Sequence, residues 1–136
     1  MAVLADLATF LQTQGLGTPA STILAGTIPE DVAGAPDEVM YLLETPGLAP
    51  EHVHDIIGPA VEQPVIQIRI RGRPYGYEAA RAKAQQAFVA LDSLVNTTLS
   101  GTAYRQVMAL QSPFLLQVDD WHRPHIVFHV RCQKAV

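Results

Sequence analysis

Five histidines and a single cysteine carry most of the chemistry this sequence has to offer. His122, His125 and His129 fall within eight residues, and clustered imidazoles can build a metal site. Strand spacing argues against it. In an extended segment His125 and His129 share a face about 13 Å apart, at ~3.3 Å per residue, too far to hold one ion. His52 and His54 alternate along a segment that also contains Glu51 and Asp55, so both imidazoles can approach an ion from an extended loop. No third ligand is spaced to complete the set. Cys132 ends an apolar run and is expected on the buried face of a strand, where a thiol packs as a small hydrophobe. No serine sits in a Gly-x-Ser-x-Gly elbow, and Gly72 and Gly76 bracket a Pro and a Tyr without forming a phosphate cradle. Asp119 and Asp120 are adjacent acids in a Trp-His-Arg-Pro turn, where carboxylates usually cap and solvate. The residues give no catalytic, cofactor-binding or metal-binding assignment.

Charge and aromatic character point instead to contacts. Arg69, Arg71, Arg73, Arg81 and Lys83 supply five of the nine Lys and Arg residues within fifteen positions. They form either a solvated strand face and helix surface or a charged contact surface, toward an acidic partner protein or toward DNA threading past. Trp121, between Asp120 and His122, is either a local core plug or an exposed anchor of the kind that dominates interface energetics. The candidate interface is therefore Arg69, Arg71, Arg73, Asp119, Asp120 and Trp121, together with Glu51, His52 and His54.

Those residues must be positioned by regular elements. Val3 to Gln14 reads as a helix, with Leu4, Leu7, Ala8 and Leu11 at helical spacing and Gly15 and Gly17 beyond it. Ser21 to Thr27 and Glu38 to Glu44 read as strands, joined by a turn-rich connection over Asp31 to Asp37. Thr45 to Gln63 carries Pro46, Gly47, Pro50, Gly58 and Pro59 and is expected to be an irregular contact loop. Gln63 to Arg71 alternates Ile66, Ile68 and Ile70 with Gln67, Arg69 and Arg71, the pattern of a half-buried strand. Tyr77 to Val95 is expected as the long helix. Thr102 to Gln111 is a strand, Phe114 to Val118 is extended, Asp119 to Pro124 turns, and His125 to Cys132 closes the chain as a strand. The order predicts an α+β fold. One mainly antiparallel sheet of four to five strands is packed by an N-terminal helix and one long central helix.

A chain of 136 residues fits one domain. Its 49% apolar and 16% charged composition is that of a folded globular protein. The net charge of −4 gives no reason to expect a basic nucleic-acid groove. One cysteine excludes an internal disulfide framework and a cysteine zinc site. The N-terminal segment lacks the basic start of a secretory signal, and no stretch approaches ~20 apolar residues. These features predict a soluble protein assembled in the cytoplasm.

The second half carries a resemblance. A strand of the type QPVIQIRIRG precedes a helix of the type AARAKAQQAFVALDSL. Gly101 and Tyr104 then open a strand that ends at Ser112-Pro113, and a Asp-Asp-Trp-His-Arg-Pro turn leads into the closing strand. Gly26, Pro29 and Glu30 fit the same pattern upstream. Together these resemble the minor capsid and tail terminator family of long-tailed, siphovirus-type bacteriophages, whose members carry an aspartate-to-arginine turn before the last strand. The match covers about Gln63 to Cys132, and the Thr45 to Gln63 segment departs from the family picture.

The resemblance implies a non-enzymatic virion protein at the head-proximal end of the tail. Such a protein forms a hexameric ring on the tail tube protein, ends tail elongation and joins a head-completion protein. DNA passes through the ring without sequence-specific binding, and no cofactor, metal or membrane is implied. A cyclic ring needs two different complementary patches. Arg69 and Arg71 facing Asp119, Asp120, Glu44 and Glu51 are one expected pair. The competing readings are a head-tail stopper or other neck component, a small metal-dependent hydrolase using His52, His54 and an acidic residue, and a dimeric ligand-binding α+β domain.

Overall fold

The computed structural model describes residues 2–19, 21–52, 59–92 and 94–135, without the side chains at 2, 48–52, 59 and 60. Helix α1 spans Ala2–Thr13, and the short strand β1 spans Ile23–Ala25. A single 3₁₀ turn at Pro29–Asp31 leads to the long strands β2, Val39–His52, and β3, Pro59–Arg71. Helix α2, Tyr77–Leu91, is followed by β4, Leu94–Leu99, and β5, Thr102–Ala109. Strands β6, Phe114–Val118, and β7, Pro124–Ala135, complete the described chain.

Among the described residues, one sheet of seven strands runs in the order β1-β2-β3-β7-β5-β4, and β6 pairs with the first part of β7. Every pairing is antiparallel except that of β1 with β2. The alternation along β3 sets the faces. Ile66, Ile68 and Ile70 point to the side that also holds Met40, Leu42, Ile126, Phe128, Val130 and Cys132, all essentially without solvent contact. Both helices lie on that side. From α1 come Val3, Leu4, Leu7, Ala8 and Leu11; from α2 come Ala80, Ala84, Ala87 and Leu91. The small residues of α2 let its axis approach the strands closely. At Gly72, which joins β3 to α2, a Cβ would lie 2.9 Å from the Ala80 side chain, so no larger residue fits without a shift.

A buried hydrogen bond fixes α1 to the sheet. Tyr104 donates its hydroxyl to Asp6 at 2.6 Å, and both are buried. A register shift between Tyr104 and Gln106 inserts one residue into β5. Tyr104 and Val107 thereby face the same core despite their odd spacing.

The α+β class, the helix on each side of the sequence and the strand over Gln63 to Arg71 agree with the sequence expectation. The sheet has more strands than the expected four to five, because β4 and β6 join it, and its β2–β3 ladder is longer than expected. The helix ends at Leu91. Asp92 leaves helical geometry, and its carboxylate accepts the Ala109 N–H at 3.1 Å. Leu94 and Val95 then begin a strand rich in β-branched residues. The expected irregular loop over Thr45 to Gln63 is in large part β-ladder. β2 continues to His52, and β3 begins at Pro59. Register shifts after Thr45, Leu48 and Glu51 accommodate the prolines and glycine that resembled loop signals. Among the described residues, no helix is long and apolar enough to cross a membrane.

Candidate functional site

Two turns meet at one end of the sheet, beyond the last pairs of β3 with β7. The Gly72 N–H donates to the Pro124 carbonyl at 2.9 Å, and the Tyr75 N–H donates to the His122 carbonyl at 2.8 Å. Tyr75 and His122 both occupy left-handed backbone conformations, at φ +60° and +62°. Non-glycine residues adopt these only where surrounding structure holds them. Their rings stack at 4.8 Å between centroids with 14° between planes. Tyr75 is nonetheless 80% exposed, and Trp121, next to His122 in the chain, is 66% exposed with the Arg123 guanidinium 5.0 Å from its ring centre. Trp121 is therefore an exposed side chain and not a core plug.

Beneath the aromatic rim lies a polar network. The Asp119 carboxylate accepts the Trp121 and Arg123 N–H groups on one oxygen, each at 3.0 Å. Its other oxygen accepts the Arg123 Nε at 2.8 Å and the His125 Nε2 at 3.1 Å. This closes the turn on itself, and Arg123 reaches on to Asp37 at 3.1 Å. Because a carboxylate only accepts, His125 carries its proton on Nε2. Its Nδ1 accepts from Arg69 Nε at 3.2 Å, and the Tyr41 hydroxyl lies 3.4 Å away. The Arg69 guanidinium also sits 5.6 Å from the Tyr41 ring centre.

The electrostatics follow from these contacts. Burial alone would raise the Asp119 pKa, but the four hydrogen bonds overcome it and hold the carboxyl far below its usual range. His125 is pushed below the ordinary imidazole value, first by burial and then by the nearby Arg69 charge, against the pull of Asp119. His129 is lowered by burial alone. An aspartate–histidine pair invites comparison with a proton relay. Here the second imidazole nitrogen already accepts from an arginine, which gives up no proton at neutral pH, so it is not open to a nucleophile.

The structure brings several of the sequence candidates together, though within one chain. Arg69 and Asp119 both contact His125, so Asp119 is engaged inside the chain rather than free to pair with a neighbour's arginine. Arg71 is only 3% exposed. Its Nε and Nη2 donate to the Asp37 and Pro36 carbonyls at 3.0 and 2.9 Å, with Glu30 3.7 Å away. The connection between β1 and β2 folds back over that strand face, which corrects the expectation that Arg71 lies on an open basic surface. Arg73 is exposed and pairs with exposed Glu38 at 2.8 Å.

Asp120 sits in the exposed turn beside Trp121. Glu51 and His52 lie on β2, with backbone partners Val61 and Pro59. Their side chains, and His54 altogether, fall outside the described residues. His125 and His129 have different hydrogen-bond partners, His129 meeting Gln67 and Gln111. No group of three His, Cys, Asp or Glu among the described residues is placed to hold a metal.

Sequence reasoning did not single out the Tyr75–His122 stack, which depends on two turns far apart in the chain. Nor did it find β6 as a surface. Phe114, Leu115, Leu116 and Val118 are each between 42% and 54% exposed. Leu115 and Val118 line a shallow recess of about 290 Å³ with Tyr75, Tyr77, His122 and Pro124. Four large apolar side chains in five exposed positions are the available signal, legible only once the strand is known to be an edge.

This end of the molecule is thus an aromatic and aliphatic surface over a turn whose Asp119 and Arg123 pair inside the chain, an arrangement suited to protein contact. No curated protein matches the chain. The family model described as bacteriophage tail terminator protein matches residues 10–135, which takes in every strand described above. The chain belongs to the bacteriophage tail terminator protein family, whose members are structural proteins of the virion tail.

Proposed function

We propose that this protein caps the head-proximal end of the tail tube as a hexameric ring, ends elongation of the tube and forms the surface on which the head docks. Its partners in this reading are copies of itself, the tail tube protein and a head-completion protein, and DNA passes through the ring without sequence-specific contacts. The observation that carries the reading is the exposed apolar end of a fully folded sheet, in a chain whose family match spans that whole sheet. A contiguous apolar surface on a small domain marks a contact site. The negative formal charge of −4 also suits a channel that must release DNA rather than hold it.

Tail length tests the proposal. In cells producing the tube protein and its chaperones, omitting this protein is expected to give tubes of uncontrolled length that do not join heads. Restoring it is expected to return tubes of one length. Tubes of normal length in its absence would contradict the role.

A further inference from the structure

We infer that neighbouring copies join edge to edge, with β6 of one copy seated in an apolar recess beside β1 of the next. This rests on the ring proposed above and names its contact. The paired residues define one level of the sheet from edge to edge. Ile23 of β1 pairs with Met40, Met40 with Ile70, Ile70 with Ile126, and Ile126 with Leu115 of β6. The next level runs Leu24, Tyr41, Arg69, Val127 and Phe114. At this level β1 and β6 are therefore the two opposite margins of the same sheet. Outside β1 among the described residues lies only a local bridge from Pro19 to Ile23, whose N–H donates to the Thr18 carbonyl at 3.0 Å, which leaves Ala25 as the open part of that edge.

The two margins differ as knob and hole. β6 exposes Phe114, Leu115, Leu116 and Val118, with neither a charge nor a proline to guard it as an edge. Beside β1, between it and α1, lies a recess of about 390 Å³ lined by Ala5, Ala8, Ile23, Leu24, Ala25 and Val32. Pro19, Thr9 and Thr27 complete the lining, so the recess is apolar apart from two threonine hydroxyls.

Strand sense agrees as well. β1 is parallel to β2, and three successive antiparallel pairings lead from β2 to β6, so β6 runs opposite to β1. Copies in one orientation then meet with β6 antiparallel to β1, the commoner pairing. A contact between unlike patches on opposite margins is the heterologous kind that closes rings. A copy of this chain is the occupant that offers both halves.

Disulfide trapping tests the contact. In one chain the margins are four strand spacings apart, about 19 Å, well beyond the reach of a disulfide. Cys132 is fully buried with its thiol pushed up to about 12, so it does not compete. Chains carrying Ala25→Cys with Phe114→Cys or with Leu116→Cys are expected to form a covalent head-to-tail ladder on mild oxidation, and each single cysteine is expected to form none. Leu116→Asp is expected to reduce self-association by at least tenfold in sedimentation, with an unchanged circular dichroism spectrum because the side chain is exposed in the monomer.

A hexamer in native mass spectrometry without the ladder would overturn the edge contact and leave the ring standing. Dimers trapped by Leu116→Cys alone would show β6 meeting β6 and overturn the head-to-tail arrangement. Absence of both ladder and self-association at any concentration would also overturn it, while tail length would still judge the terminator role on its own.

Discussion

Asp119 organises more of the structure than any other charged residue, because four donors from three residues converge on it. Asp119→Asn keeps the shape but loses the charge, and forces one amide N–H against an existing donor. It is expected to destabilise the fold by about 2 kcal/mol, in the range for weakening hydrogen bonds to a part-buried charged group; urea unfolding measures this. Tyr104→Phe leaves the buried Asp6 carboxylate without its donor and is expected to cost about 2 kcal/mol by the same assay. The pH response follows from the same residues. His125 and His129 have folded-state pKa values below the unfolded value of 6.5, so the unfolded chain takes up protons first as pH falls. Their stabilisation is complete above that value and is lost on acidification below it. Asp119, also lowered, adds stability that is present above its unfolded value of 3.8 and lost on further acidification. Melting temperature is therefore expected to fall from about pH 6.5 downward, with a second decline below about pH 4. A melting temperature flat down to pH 4 would contradict the neutral, buried state of His125.

Between elements, fit is set where α2 meets the sheet. Gly72→Ala places a Cβ 2.9 Å from Ala80 and 3.1 Å from Pro124, so α2 or the β7 turn must move. A cost of about 1–3 kcal/mol is expected, as for overpacking elsewhere, and a larger residue is expected to cost more. Strand β3 and the face it buries were legible in the sequence because alternating isoleucines leave a period of two that no helix shares. β4 was not, since Leu94 and Val95 continue the apolar stripe of α2 and only the turn at Asp92, fixed by a contact to β5, separates them. The far part of β2 was hidden for the opposite reason. Pro46, Gly47 and Pro50 are loop signals in isolation, but a long ladder absorbs them as register shifts. The candidate site was legible in part. The Asp119 to Arg123 turn and Arg69 stood out by type and spacing, whereas their meeting at His125 and the cover over Arg71 depend on chain segments distant in sequence. Exposed Trp121 is expected to tolerate Trp121→Ala with little loss of stability, because its main described ring contact is the Arg123 guanidinium.

At the scale of the molecule, the domain engages Arg69, Arg71, Asp119 and Arg123 internally and turns apolar margins outward. The two margins of the sheet are suited to neighbouring copies. The aromatic rim of Tyr75 and Trp121 lies at one end of the strands, exposed to solvent; in the ring proposed above it is the surface left for the next layer of the particle. In the proposed role the protein acts by position and number, and its location in the particle is therefore the quantity that matters. The most direct measurement is electron microscopy of assembled tails carrying a tagged copy of this chain. The account predicts one ring of tags on every tube, at the end that meets the head, and on no other part of the tail. Tags spread along the tube, or confined to the opposite end, would contradict it.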